Sequence, residues 1–232
     1  MSWWTERKIM WYERASERCD YHRKLAGIIE KHLSCDRSVL ELGCGLGRVA
    51  PILGEHHPVK AVDIDENAIE CARRREKSNI YYVSDWKDWH EKADAVVCIC
   101  FGHLDKRDNL PPLLELAEHH VVYTFSLHRG QRDDLVLRKT TPREETERDL
   151  RESGYLVTSE SFTLSFPQPL LSLEEAEEFI RVSYPGKNTE DYMPFVEKSG
   201  DKEYPYVLRN EKKMVLFDIA KPDSVCHFGP TS

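Results

Sequence analysis

One segment of the chain constrains its fold more than any other: an apolar run, typical of a buried strand, that leads directly into three alternating glycines. Residues 38–42 (SVLEL) precede Gly43, Gly45 and Gly47, and residues 48–53 then show a helical pattern. A strand, a glycine turn and a helix in this order point backbone N–H groups at a ligand beyond the carboxyl end of a parallel sheet. The segment therefore predicts an α/β fold with a nucleotide-like cofactor.

The rest of the chain alternates between strand and helix patterns, as expected for a sheet built from βαβ units. The first 33 residues have a helical pattern, and strands are predicted at 38–42, 59–65, 80–84, 94–101, 121–127, 155–166 and 213–219. Helices are predicted at 48–53, 66–77, 110–119 and 141–153. The interval before the last strand is too long for a simple turn, and it predicts a helix after Ser172 and a shorter one over 190–198.

A length of 232 residues suits one elaborated domain. We expect a single domain that is divided into a helical cap, a cofactor-binding core, an insertion that acts as a lid, the last strand and a tail. In that order the predicted parts are 1–36, 37–166, 167–205, 206–221 and 222–232.

The charge balance weighs against nucleic-acid and anionic-membrane partners. Lys and Arg number 33 against 41 Asp and Glu, which gives a net charge of −8, whereas both partners favour a basic surface. A locally basic stretch, 128–143, leaves an acidic small substrate open. No apolar run approaches the roughly 18 to 20 residues of a membrane span, and the N-terminus lacks a signal-peptide pattern. We therefore expect a cytoplasmic protein.

The cysteines predict neither disulfides nor a metal centre. Seven cysteines are scattered without a CxxC pair, and the ten histidines form no recognisable Cys/His module. An odd count in a chain of this size is typical of reduced thiols, and a structural zinc needs close ligand pairs. We expect no metal.

The spacing of the glycines separates two classes of cofactor. A dinucleotide-binding GxGxxG pattern requires a third glycine at position 48, where the chain has Arg48. The third glycine is Gly47 instead, and the pattern reads ExGxGxG from Glu41. An acidic residue about 20 positions after the first glycine suits ribose hydroxyls in several cofactor classes, and Asp63 occupies that position.

At these residues the sequence resembles the class I S-adenosylmethionine-dependent methyltransferases. The first motif of that family looks like VLELGCGLG at 39–47, and AVDIDENAI at 61–69 looks like its second-strand motif. Ser84-Asp85-Trp86 and the run DAVVCICFGHL at 94–104 fall where the family has its next two motifs. The resemblance covers 38–127 and implies a Rossmann-like, seven-stranded, mostly parallel sheet, with an N-terminal helical cap and a lid insertion before the last strand.

The resemblance also implies roles for individual residues in binding S-adenosylmethionine. Asp63 would accept hydrogen bonds from both ribose hydroxyls, Ile64 would pack on the adenine, and Asp85 would bind the adenine amino group. Gly43 and the backbone of Cys98 and Cys100 would lie near the amino-acid end of the cofactor. The further cofactor candidates are Glu41, Cys44, Gly45, Gly47, Trp86 and Tyr21.

The acceptor is expected to be a small molecule that is methylated on O, N or S, because the chain lacks the [ND]PP[YFW] tetrapeptide that marks enzymes acting on base amino groups or glutamine. His103 and His128 follow two predicted strands and are candidate bases. Candidates for the acceptor pocket are the aromatic residues of the N-terminal helix and the insertion: Trp3, Trp4, Trp11, Tyr12, Phe179, Tyr184 and Tyr192.

Several alternatives stay open at this stage. An NAD-dependent oxidoreductase shares the strand, the glycine turn and the acidic residue, and a non-catalytic regulatory protein that binds S-adenosylmethionine would carry the same motifs. Trp86 also suits a packing position. Cys98 and Cys100, predicted on one face of a strand, suit small buried hydrophobic groups better than thiol chemistry. The sequence leaves the acceptor and the choice between monomer and homodimer undetermined.

Overall fold

A computed structural model describes residues 3–76, 80–102, 104, 109–126 and 142–223 of the chain. The helices are α1 (Glu6–Glu17), α2 (Tyr21–Glu30), α3 (Ala50–Leu53), α4 (Glu66–Arg75), α5 (Leu110–Leu116), α6 (Pro142–Glu152) and α7 (Leu173–Ser183). The strands are β1 (Val39–Leu42), β2 (Val59–Asp63), β3 (Tyr81–Val83), β4 (Ala93–Ile99), β5 (Ala117–Ser126), β6 (Leu156–Ser165), β7 (Gln168–Leu170), β8 (Val196–Lys198), β9 (Tyr206–Leu208) and β10 (Glu211–Ala220).

Seven strands form one twisted sheet in the order β3-β2-β1-β4-β5-β10-β6. The pairs from β3 to β5 are all parallel, and β10 runs antiparallel to both β5 and β6. The predicted seven-stranded, mostly parallel α/β sheet is confirmed. Because β6 runs parallel to β5, the chain after β6 emerges at the same edge as the glycine loop.

Two apolar layers cover the faces of this sheet. One layer packs the buried faces of α2, α3 and α4 against the sheet, and α5 and α6 cover the other face. The central strand β4 is buried on both sides, as its continuous apolar run predicts. The helix α4 begins at the N-cap Asp65, whose side chain accepts a hydrogen bond from the N–H of Asn67, and it ends with three arginines that interact favourably with the helix dipole.

Strand β4 ends two residues earlier than the sequence predicts. It stops at Ile99, and Cys100 adopts a left-handed conformation with φ of 51°. The alternation of side chains therefore stops there, and the prediction that Cys98 and Cys100 share one face of a strand is wrong. Cys98 is fully buried between sheet and helices, whereas Cys100 is exposed.

The interval before the last strand forms a compact unit with its own core. Strands β7, β9 and β8 make an antiparallel three-stranded sheet, and α7 packs on it through Ala176 and Ile180. The predicted helix after Ser172 is present, with Ser172 as its N-cap. The predicted helix over 190–198 is instead two short 3-10 turns followed by β8.

A chain of carboxylates and imidazoles lies at the amino-terminal edge of the parallel strands. Asp36 accepts hydrogen bonds from His119 (2.7 Å) and from Nε2 of His120 (2.9 Å). The other ring nitrogen of His120 binds Asp218, and Asp218 in turn binds His32 at 3.0 Å. Within the described ranges no group of His, Cys, Asp or Glu is arranged to hold a metal ion. The hydrogen bonds among these side chains connect the end of α2, the start of β5 and the end of β10.

No helix in the described part of the chain is long and apolar enough to cross a membrane.

Candidate functional site

A cavity of about 1070 Å³ opens at the carboxyl ends of β1, β2, β3 and β4. This edge of a parallel sheet is where such folds bind ligands. Its walls come from the glycine loop, the ends of β2, β3 and β4, the segment before α1 and the start of α2, with Lys212 of β10. Single-ligand pockets have roughly 300–1,000 Å³, so the cavity is as large as the largest pockets of this kind.

The glycine loop depends on residues without side chains. Gly43 has φ of 69°, and a Cβ added there would lie 2.1 Å from Cδ2 of Phe101. Gly47 has φ of 62°, and its added Cβ would lie 2.4 Å from the ring of Tyr81. Left-handed backbone and close ring contact both exclude larger residues, so the glycines serve the loop conformation as well as any ligand.

The amides of this loop are largely used within the protein. Those of Gly43 and Cys44 donate to the carbonyl of Val62, and that of Gly47 donates to Cys44. The amide of Gly45 donates to Oδ2 of Asp63 at 2.7 Å. A ligand phosphate would therefore find none of these four N–H groups available.

Asp63 ends β2 and faces the cavity beside an exposed apolar side chain. Its Oδ1 accepts from the amide of Asp65 at 2.8 Å, and each carboxylate oxygen keeps a second lone pair for a ligand. Burial raises the pKa of Asp63, although three backbone N–H groups oppose that shift. Ile64 is 68% exposed and lines the cavity, where an aromatic ligand would cover it.

Glu41 is a buried carboxyl group in the cavity wall. It is 2% exposed, and its Oε2 has no hydrogen-bond partner among the residues that the structure describes. Burial and the charge of Asp63 raise its pKa to about 8. A buried polar atom without a partner costs about 1–3 kcal/mol, so this oxygen is suited to a ligand that carries hydrogen-bond donors or positive charge.

Asp85 and Trp86 form the wall beyond β3. Asp85 caps a short 3-10 turn by accepting from the amide of Lys87 at 3.0 Å. The Trp86 ring contacts Phe101 edge-on, with centroids 6.0 Å apart. Trp86 therefore packs on Phe101 and also lines the cavity. It thus fits both sequence interpretations, a packing residue and a residue of the binding site.

The segment before α1 covers the glycine loop. The Trp4 ring lies 3.2 Å from the position of a Cβ on Gly45, and the Trp4 amide donates to Asp65 at 3.1 Å. Trp4 also contacts Tyr12 edge-on at 5.2 Å. Of the predicted aromatic wall, Trp3, Trp4 and Tyr12 line the cavity.

Helix α1 is held to the loop by charge. Glu13 accepts hydrogen bonds from Arg48 and from Arg75, the latter at 3.1 Å. Arg75 also donates to the carbonyls of Leu46 and Gly47, each at 2.7 Å. The residue that stands in place of the dinucleotide-type glycine, Arg48, thus anchors the N-terminal helix.

Another wall of the cavity is built by residues of α2 and β10. Tyr21, predicted as a cofactor candidate, lines the cavity beside His22 and Lys212. His22 accepts from or donates to the Tyr12 hydroxyl at 2.8 Å, and burial and the charge of Arg48 lower its pKa to about 3. No sequence pattern singles out His22 or Lys212, because both lie outside the motifs and their contact with Phe166 joins segments that are distant in sequence.

Other predicted residues lie elsewhere. Cys98 is in the core. Trp11 of α1 packs on Phe179 of the insertion, and Tyr184 and Tyr192 stack within the insertion, so none of these four lines the cavity. The aromatic residues of the insertion hold it together because its small sheet needs a core of its own. Gly47 supports the loop through Tyr81 and also lies outside the lining residues. The candidate bases, His103 and His128, lie outside the described residues.

Residues 39–121 match the family model described as a methyltransferase domain. The chain thus contains a region that is similar to methyltransferase domains. The matched residues run from β1 into β5, so they contain the glycine loop, Asp63, Asp85 and the end of β4. No curated protein matches the chain significantly by sequence.

Solved structures share the fold at low sequence identity. The YcgJ protein from Bacillus subtilis is 13% identical, with a TM-score of 0.55 over 87% of this chain and 100% of that chain. A protein from Bacillus halodurans is 18% identical, with a TM-score of 0.52 over 86% and 99% of the two chains. A S-adenosylmethionine-dependent methyltransferase from Thiobacillus denitrificans, in complex with S-adenosylhomocysteine, is 14% identical, with a TM-score of 0.51 over 90% and 97%.

Proposed function

We propose that the protein transfers the methyl group of S-adenosylmethionine to an O, N or S atom of a small molecule. The observation that carries this proposal is the cavity, which continues from the glycine loop and Asp63 to a separate wall of Tyr21, His22 and Lys212. One end offers carboxylates for a cofactor, and the other offers room for an acceptor. The acidic overall charge favours a small molecule over a nucleic acid.

The residues of the first end fit S-adenosylmethionine. Asp63 would accept from the ribose hydroxyls, Ile64 would cover the adenine, and Asp85 would bind the adenine amino group. The unpartnered Oε2 of Glu41 would accept from the ammonium group beside Gly43. The complex of the Thiobacillus denitrificans protein with S-adenosylhomocysteine supports this use of the fold.

The sulfonium of the cofactor supplies an electrophilic methyl group. The protein itself has to orient the acceptor atom and exclude water, a positioning effect that lowers the entropic part of the barrier. Trp4 and Tyr12 close the cavity above the glycine loop, so α1 would exclude water.

The internal hydrogen bonds of the glycine loop disfavour the alternative, an NAD-dependent oxidoreductase. A pyrophosphate is usually bound by free N–H groups at this turn, and the amides of Gly43, Cys44, Gly45 and Gly47 are already bonded. Calorimetric titration tests the choice: we expect micromolar binding of S-adenosylmethionine and S-adenosylhomocysteine and none of NADH.

Asp63→Ala should weaken S-adenosylhomocysteine binding by about 1 to 3 kcal/mol, or roughly 5- to 150-fold. The reason is the loss of the ribose acceptor together with the loss of a partner for the Gly45 amide. The measurement is titration at a temperature well below the melting temperature of each variant. Asp88→Ala, at an exposed carboxylate of the neighbouring turn, is the control, and unchanged affinity of Asp63→Ala would reject the assignment.

A further inference from the structure

Lys212 brings a positive charge into the wall of the cavity, on a strand that β1, β4 and β5 separate from the strand that carries Asp63. It is the second residue of β10 and pairs with Leu164 of β6. Its Nζ lies 5.0 Å from the centroid of the Tyr21 ring and 4.6 Å from that of Phe166. Two aromatic faces therefore fix where the ammonium sits.

Among the described residues, the contacts of the Lys212 ammonium are with aromatic rings, and no carboxylate there lies within 4.0 Å of it or accepts a hydrogen bond from it. The side chain is partly buried, and this burial lowers its pKa. Because burial disfavours the charged form of the amine, an anionic ligand group beside Lys212 would stabilise its ammonium.

The charges in the cavity are divided between its two ends. The carboxylates in its lining come from β1, β2 and the segments that follow β2 and β3: Glu41, Asp63, Asp65, Glu66 and Asp85. Of the other lining cations, Arg48 is paired with Glu13, and Lys87 is exposed near Asp85. Lys212 is thus positioned to bind a ligand group on the side of the cavity away from Asp63 and Asp85.

We propose that Lys212 binds an anionic group of the methyl acceptor, so that the acceptor is a small organic acid with a carboxylate or phosphate. This inference rests on the proposed methyl transfer, because it assigns the other end of the cavity to the cofactor. The rings of Tyr21 and Phe166 hold the ammonium and present an apolar surface beside it, which suits an acid with a planar or apolar body.

The test uses the full-length protein saturated with S-adenosylhomocysteine and three probes of similar shape. Benzoate carries a carboxylate, phenyl phosphate carries a phosphate, and benzamide is neutral. Titration should show that at least one anionic probe binds about tenfold or more tightly than benzamide, the scale of a hydrogen bond to a charged group. The probe that binds more tightly identifies the anionic group.

Variants separate the role of Lys212 from general effects. Lys212→Met should lose the preference for the anions, Lys212→Arg should keep most of it, and Lys213→Met, at an exposed neighbouring position, should behave as the wild type. The affinity for S-adenosylhomocysteine should change less than twofold in all three.

Three results would overturn the inference. The first is equal binding of all probes by the wild type, and the second is an anion preference that survives in Lys212→Met. The third is a tenfold loss of S-adenosylhomocysteine affinity in Lys212→Met, which would assign the lysine to the cofactor carboxylate. If the wild type binds no S-adenosylhomocysteine at all, the proposed function fails and the role of Lys212 fails with it.

Discussion

Glu41 is buried in the cavity wall, and its protonation affects the free energy of unfolding. Its pKa rises from 4.5 to about 8 because of burial and the charge of Asp63. The folded state therefore holds this proton more tightly than the unfolded chain. The resulting stability is present below about pH 4.5 and is lost as the pH rises through about 8.

Replacing this carboxyl group by an amide removes its titration. Glu41→Gln should make the free energy of unfolding fall less between pH 5 and pH 8.5 than it does in the wild type. Urea denaturation at several pH values measures the difference, with Glu70→Gln, at an exposed position of α4, as the control. Equal pH profiles of Glu41→Gln and wild type would contradict the raised pKa.

Glu41 also shows which properties of a single residue the sequence predicts. The motif predicts that Glu41, Gly43 and Asp63 lie together, because a strand and a glycine turn fix them relative to one another. It does not predict that Oε2 of Glu41 lacks a partner, since that depends on segments far along the chain. The same applies to Lys212, whose neighbours Tyr21 and Phe166 are distant in sequence.

At the level of elements, a chain of histidines and carboxylates connects the end of α2 with β5 and β10. It lies at the amino-terminal edge of the parallel strands and includes His32, Asp218, His120 and Asp36. Burial opposes protonation of His120, but hydrogen bonds to Asp218 and Asp36 outweigh it and raise the pKa to about 9. Its stabilising effect is present below about pH 6.5 and is lost as the pH rises through about 9. The imidazolium thus neutralises two carboxylates that the fold buries.

His120→Phe should lower the free energy of unfolding by about 3–5 kcal/mol at pH 6.5, because it leaves two buried carboxylates without their shared partner. The loss should shrink toward pH 9.5, where the wild type itself loses the proton. Denaturation at both pH values measures this, and His90→Phe, an exposed position, is the control. A loss of the same size at both pH values would show that packing, not charge, is responsible.

Element boundaries depart from the sequence prediction where tertiary contacts decide them. The apolar run at the end of β4 predicts a strand through Phe101, yet the chain turns at Cys100 so that the Phe101 ring packs over Gly43. The aromatic residues of the insertion are typical of a ligand pocket as well as of a core. The small sheet of β7, β8 and β9 shows that these aromatic residues form the core of the insertion. The sequence does not predict this sheet, because strands of three residues give almost no periodic pattern.

In the whole molecule, α1 connects the insertion to the core. Trp11 is 1% exposed, its indole N–H donates to Glu175 at 3.0 Å, and its ring meets Phe179 edge-on at 5.2 Å. Arg14 binds both oxygens of Glu175 at 2.9 Å. The insertion therefore rests on α1, and α1 in turn forms the wall of the cavity.

Trp11→Ala should destabilise the protein by about 3–5 kcal/mol and also weaken S-adenosylhomocysteine binding, because α1 carries Tyr12 and is preceded directly by Trp4. Urea denaturation followed by circular dichroism should show one transition in both proteins. Trp3→Ala, at a side chain that is 65% exposed, should change stability by less than about 0.5 kcal/mol. Two separate transitions in the wild type would mean that the insertion unfolds independently of the core.

The ion pairs of Glu13 with Arg48 and Arg75 should restrict which substitutions homologous chains accept at these positions. Each of the three charges is partly buried against the others, so losing one of them alone leaves an uncompensated charge beside the glycine loop. Among homologous chains, exchanges at positions 13, 48 and 75 should therefore occur together, as coordinated replacements. In an alignment of homologues, position 13 should therefore covary with positions 48 and 75. This covariation would show that the N-terminal helix packs on the glycine loop in those proteins too.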